Sequence, residues 1–220
     1  MSISSISVCV LVSGGVDSAV LLARLLQARA RVLPLYLRCG FSWEAAELFW
    51  LKRLLRAMRS ERLAPLRMVE TPLRSVYGPH WSFTGRGIPG ASSPDAAVFL
   101  PGRNILLLSH AAVVCTSARI HAIALGVLAS NPFGDASLRF FRDLAALLSR
   151  ALGWPITVLA PLRQTTKTRL IRAASEAPLA LTFSCLAPRG MRHCGRCNKC
   201  AERRQAFRAA GVCDPTDYRR

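Results

Sequence analysis

Apolar positions along this chain alternate between short unbroken runs and longer amphipathic stretches. Residues 8–12 are apolar throughout, the pattern of a strand buried on both faces. Residues 17–28 read as a helix with Val20, Leu21 and Leu25 on one face. A second apolar run, 31–37, stops at Cys39-Gly40. Residues 43–58 then place Leu48, Leu51, Leu55 and Met58 at three- and four-residue steps, and 66–69 is a third short run ended by Thr71-Pro72. This order of strand, helix, strand, helix, strand predicts an α/β fold, a parallel sheet sandwiched by helices.

Further along, residues 75–97 are rich in Gly, Pro and Ser without a clear period, and a flap over an active site is expected there. Pro101-Gly102-Arg103-Asn104 opens an almost wholly apolar helix to Cys115, expected to be central and buried. Residues 120–127 are a strand candidate, 128–136 a loop, 138–152 a helix, 156–159 a strand, 165–174 a helix and 201–210 a last helix. A length of 220 residues fits one sizeable domain, 1–180, with a small cysteine-bearing segment, 181–220. The longest apolar run, 105–115, is interrupted by Ser109 and His110, so no membrane span is expected. No leader is expected either, because no basic residue precedes the run at 8–12 and no small-residue cleavage site follows.

The first strand runs into Val12-Ser13-Gly14-Gly15-Val16-Asp17-Ser18. Paired glycines let backbone approach phosphate oxygens without a Cβ in the way, and the helix that follows offers its free N–H groups and positive dipole end to an anion. Ser13 and Ser18 add hydroxyl donors. Asp17 would repel a bare phosphate, so it is expected on an exposed turn, meeting Mg²⁺ or capping the helix. The loop is too short for the lysine-bearing P-loop and has no lysine.

Near the other end Cys185, Cys194, Cys197 and Cys200 follow a C-x8-C-x2-C-x2-C spacing. Four thiolates at such spacing make a closed, structural Zn²⁺ site, with an iron–sulfur cluster as the rival. His193 is expected to be a flanking surface residue, Cys9 and Cys115 core residues, Cys39 a bystander at the sheet edge and Cys213 spare. Eight cysteines, four of them at metal spacing, suit a reducing cytoplasm better than a secreted scaffold. The net charge of +18 would suit a nucleic-acid partner. Only Lys52, Lys167 and Lys199 are lysines, and the arginines are scattered rather than gathered with aromatics, so a nucleic-acid partner is not favoured.

Ser13–Ser18 resembles the pyrophosphate loop of the PP-loop N-type ATP pyrophosphatases. Within that group the chain is similar to the 7-cyano-7-deazaguanine synthases of the queuosine pathway. The motifs are the Ser13 loop, Pro101-Gly102-Arg103-Asn104, Ala160-Pro161-Leu162 with Thr166-Lys167, and Phe183-Ser184-Cys185 with the later cysteines, Arg203 and Ala206-Phe207. The resemblance implies an ATP-dependent ligase. A deazapurine carboxylate is adenylated, ammonia displaces AMP, and a second ATP turns the amide into a nitrile. It implies ATP, Mg²⁺ and Zn²⁺ as cofactors and a homodimer. It implies nucleotide contacts from Val12 through Ser18, from Ala19, Val20, Leu21 and Leu22, and from Asn104. Asp17, Arg103 and Lys167 become the catalytic candidates. Where that family carries a D-x-S-G-Y-P-D-C-R stretch in its substrate pocket, this chain has Leu-Ala-Ser-Asn131-Pro132-Phe133-Gly134-Asp135. The alternatives are a tRNA-thiolating PP-loop enzyme and a non-catalytic zinc-containing nucleic-acid binder.

Overall fold

The computed structural model describes residues 7–174 and 177–219. Five parallel strands, β1 (Ser7–Leu11), β2 (Arg31–Arg38), β3 (Arg67–Glu70), β4 (Ala122–Ala124) and β5 (Thr157–Leu159), form one sheet in the order β3-β2-β1-β4-β5. The helices are α1 (Val16–Gln27), α2 (Glu44–Ala57), α3 (Arg74–Tyr77), α4 (Trp81–Thr84), α5 (Arg103–Ser117), α6 (Leu138–Leu152), α7 (Lys167–Arg172) and α8 (Asn198–Ala210). Because β1 pairs with β2 on one side and β4 on the other, the winding reverses between β1 and β4. In open α/β sheets the crevice beyond the strand ends at such a reversal is where ligands sit.

The unbroken apolar run of β1 has a simple cause. Side chains alternate across a strand, so Val8 and Val10 enter the core layer shared with Val20, Leu21, Leu170 and Phe207, while Cys9 enters the opposite layer with Leu108, Ala111, Cys115 and Phe141. With both faces covered, the buried positions Val8, Cys9 and Val10 are all apolar, and only the exposed Ser7 at the strand's start is polar. Each fully buried aliphatic side chain contributes about 1.5–3 kcal/mol.

Several expectations are corrected. The stretch 75–97 is not without structure: α4 lies within it and α3 enters it, pinned by a ladder in which Phe41 stacks on Trp43 at 4.7 Å and Trp43 on Trp81 at 5.8 Å. Four-residue helices carry no periodicity to read. The fourth strand is three residues, not 120–127, since only Ala122–Ala124 finds partners on both β1 and β5. α7 is shorter than 165–174, with Thr166 as its cap, accepting from the Arg169 N–H. α8 starts three residues early, with Cys197 at its N-cap and Cys200 already in its first turn. α5 is not central: Ile105 and Val113 are 44% and 54% exposed, so one apolar face is open. Among the described residues, no helix is long and apolar enough to cross a membrane.

Candidate active site

The turn after β1 is built by its own side chains. Gly14 sits at φ +75°, and a Cβ there would come within 3.3 Å of Leu51 Cβ. Ser18 Oγ donates to the Gly15 carbonyl at 3.1 Å, and Ser13 Oγ accepts from the Gly15 N–H at 3.4 Å. The hydroxyls therefore hold the loop while the first-turn N–H groups of α1 are left facing the crevice, with no partner inside the helix. Phe183 N–H donates to the Gly14 carbonyl at 2.8 Å and ties the cysteine-bearing segment to this loop.

Two adjoining cavities of about 290 and 240 Å³ open here, and Ser13, Gly15, Asp17, Glu47, Arg103 and Gly126 line both. Val16 and Lys167 line the first; Val12, Ser18 and Asn104 line the second. Gly14 lines neither. Nor do Ala19, Val20, Leu21 and Leu22, all 1% exposed or less, because their turns of α1 face the sheet and its neighbours. The Asn104 side chain donates to the Asp135 carbonyl at 2.9 Å, and Asp135 in turn caps the start of α5 through the Asn104 N–H.

Asp17 does not cap α1. Its Oδ2 lies 3.4 Å from Lys167 Nζ, which is also paired with Glu202, while Lys199 Nζ reaches Glu202 Oε2 at 2.6 Å. Nor is Asp17 freely exposed: Oδ1 is buried with no hydrogen-bond partner among the described residues. Burial pushes the Asp17 carboxyl above the usual range, against the pull of Lys167. Burial also works against the Lys167 ammonium, but Asp17 and Glu202 outweigh it and hold the group charged. Glu202 meets the same burial penalty, yet Lys167 and Lys199 bring it down to about 2. Arg103 stacks its guanidinium over Phe41 at 5.2 Å with Nε buried and unpaired.

Cys185, Cys194, Cys197 and Cys200 are buried with their sulfurs within 4.8 Å of one another. The Cys194–Cys200 and Cys185–Cys197 separations are both 4.0 Å. The edge of a tetrahedron around a zinc ion with bonds of about 2.3 Å is about 3.8 Å, so the set fits a four-thiolate metal. His193 is corrected from a surface residue to a buried one, at 4% exposure. Its ring packs 4.5 Å from Phe183, and Nε2 accepts from the Ser184 N–H at 3.2 Å. Burial, with Arg203 nearby, lowers its pKa to about 4, so it stays neutral. Cys9 and Cys115 are core residues, and Cys213 is exposed.

Glu47, Glu202, Lys199 and Gly126 also line the first cavity, and sequence reasoning missed them. Glu47 is hidden inside an amphipathic helix, where a carboxylate reads as solvated. A signal did exist for Glu202 and Lys199, which flank Cys200 on the helix leaving the metal loop. A Cβ on Gly126 would stand 3.0 Å from the Asp17 carbonyl carbon and 3.1 Å from the Ser18 N. Gly126→Ala therefore pushes the turn outward, with an expected loss of about 1–3 kcal/mol in thermal or denaturant unfolding.

Fold and cleft together define a doubly wound α/β protein whose candidate site lies at the topological switch point, next to a loop of four cysteines that could hold a metal. The chain belongs to the family described as queuosine biosynthesis protein QueC, whose model matches residues 7–211. It is 33% identical over 95% of its length to a 7-cyano-7-deazaguanine synthase of Anaeromyxobacter dehalogenans, covering 94% of that protein. A protein of the same name from Azoarcus sp. is 33% identical, with 95% of each chain covered. Against the one from Saccharolobus solfataricus the identity is 29%, and this chain spans 47% of that protein's length. The fold is shared with a solved structure of a predicted subunit of tRNA methyltransferase from Methanocaldococcus jannaschii. That match has TM-score 0.50 and 16% identity, covering 78% of this chain and 75% of the other.

Proposed function

We propose that the protein is an ATP-dependent ligase that converts 7-carboxy-7-deazaguanine and ammonia into 7-cyano-7-deazaguanine. The observation that carries this reading is the buried, unpartnered Oδ1 of Asp17, beside Lys167 in a cavity at the α1 N-terminus, in a chain of this family. A carboxylate oxygen held dry without a donor fits a cation, and we assign Asp17 to Mg²⁺. Bound there, Mg²⁺ would offset phosphate charge as pyrophosphate forms. The α1 N–H groups and Ser13 hold the phosphates. The substrate carboxylate attacks the α-phosphorus and pyrophosphate leaves. Ammonia then displaces AMP, giving the amide and one proton. A second ATP adenylates the amide oxygen with release of a second pyrophosphate, and loss of AMP and a proton leaves the nitrile. Lys167, fixed between Asp17 and Glu202, and Arg103 face the charge that grows during these displacements.

A third cavity of about 210 Å³, walled by Trp43, Trp81, Phe99 and Phe133 with Arg103 and Lys199 among its lining, suits a planar anionic base. The four cysteines are assigned to one structural Zn²⁺, in the cytoplasm where thiols stay reduced. The open apolar face of α5, with Ile105 and Val113, is assigned to a second copy of the chain. The test is ATP–pyrophosphate exchange. Exchange is expected with 7-carboxy-7-deazaguanine and not with tRNA. Exchange with tRNA alone would replace this reading by a thiolating one, and salt-dependent RNA binding without exchange would replace it by a binding protein.

A further inference from the structure

Among the described residues, Glu47 is the one carboxylate on the walls of both main cavities that the chemistry above leaves without a task. It projects from α2 into the space it shares with Ser13, Gly15, Asp17, Arg103 and Gly126. Asp17, the other carboxylate common to both cavities, is paired with Lys167. Glu47 instead receives its hydrogen bond from a neutral group, the Tyr36 hydroxyl, at 2.5 Å. Tyr36 is 3% exposed, so this anchor is rigid and aims the carboxylate at the cavity. Phe41 and Trp43 complete an apolar surround on that side.

The proposed reaction consumes ammonia, yet ammonium is almost wholly protonated at neutral pH and has no lone pair to attack with. We infer that Glu47 binds the ammonium ion and accepts its proton, delivering ammonia to the adenylate formed beside the Ser13 loop. This deepens the function proposed above and rests on it. The step balances: Glu47 carboxylate and NH₄⁺ give the neutral acid and NH₃. The nitrogen lone pair forms the C–N bond, and the C–O bond to AMP breaks. The extra proton on nitrogen leaves to solvent, as does the proton on Glu47 before the next turnover. Geometry selects the residue, and its environment suits the task. Burial pushes the Glu47 carboxyl up to about 7, with Tyr36, Arg103 and Trp43 pulling it down and Glu44 pushing it up. A base poised near the working pH both ionises and takes a proton readily. The charged and titratable groups around it are Tyr36 on β2, Cys39 just after it, Glu44 on α2, Arg103 on α5, and Asp17 across the cavity.

The test uses the full chain with Glu47→Gln in three assays at neutral pH. The first is acid-dependent ATP–pyrophosphate exchange, which needs no nitrogen nucleophile. The second is kcat/KM for ammonium. The third is hydroxamate formation from hydroxylamine, which is uncharged at neutral pH and needs no base to free its lone pair. Exchange and hydroxamate formation are expected within about twofold of the parent, with kcat/KM for ammonium reduced about 100-fold. The deficit should close at alkaline pH, where free ammonia is plentiful. Normal exchange in the variant doubles as proof of folding. Where the variant does not fold, Glu47→Asp takes its place. It keeps a carboxylate one methylene short of the Tyr36 anchor and is expected to lose ammonium turnover but not hydroxamate formation. Unchanged ammonium kinetics, or an equal loss in all three assays, overturns the assignment. A parent protein with no acid-dependent exchange overturns the proposed reaction, and this inference with it.

Discussion

Asp17→Asn is expected to leave a folded protein with a melting temperature at or above the parent's, and to lower ATP-dependent turnover by about 100-fold or more. The two halves of this result have one cause. Burial raises the Asp17 carboxyl pKa, so the folded state holds an anion in a place that resists charge. A group whose folded pKa lies above its unfolded value destabilises the fold while ionised and ceases to do so as pH falls through the folded value. The amide removes that charge, and Lys167 keeps Glu202 as its partner. What is lost is the oxygen that the proposed function assigns to a cation. Thermal melts and pyrophosphate release, measured together, check it. A variant that turns over normally removes Asp17 from the metal, and one that melts well below the parent makes Asp17 a structural residue.

Cys197→Ser is expected to abolish zinc binding, to give poorly soluble protein and to remove activity. A four-thiolate zinc site holds on the order of 10 kcal/mol of binding free energy, comparable to the whole stability of a domain. The residues next to Cys197 spread the damage. The Asn198 N–H donates to the Pro89 carbonyl at 2.9 Å and its side chain to the Ser93 carbonyl at 2.8 Å, so the metal loop holds the segment that carries Asp95 to the cavity. One turn on, Glu202 orients Lys167. Elemental analysis of the colourless parent protein is expected to give about one zinc per chain. A brown parent with iron and labile sulfide would replace zinc by a cluster and bring the thiolating reading forward.

Features with local causes are legible in the amino-acid sequence. The run at 8–12 and the Ser13–Ser18 turn read correctly as strand and βα loop because burial on both faces shapes the first, and a glycine at positive φ against Leu51 shapes the second. The cysteines read as a metal set for a similar reason, since three of them lie within seven consecutive residues, 194–200. His193 reads wrongly as a surface residue because nothing in its neighbours announces that Phe183 and Tyr218 will close over it. α5 reads wrongly as buried because an almost wholly apolar helix looks the same whether the fold covers it or leaves a face open.

Composition, spacing and periodicity thus determined the order of the strands and long helices, the parallel α/β class, the glycine turn and the four thiols. Only the tertiary structure decided which polar and charged groups meet. Lys167 and Glu202 are 35 residues apart in the chain, and Asn198 and Ser93 are 105 apart. Their pairing follows from the reversal of winding between β1 and β4, which turns the ends of distant strands toward one crevice. Local propensity acts over a few residues. The pKa of a carboxylate such as Glu47 is set by burial, by a hydrogen bond from Tyr36 on β2 and by the charge of Arg103 on α5, and so exists only once the chain has folded around it.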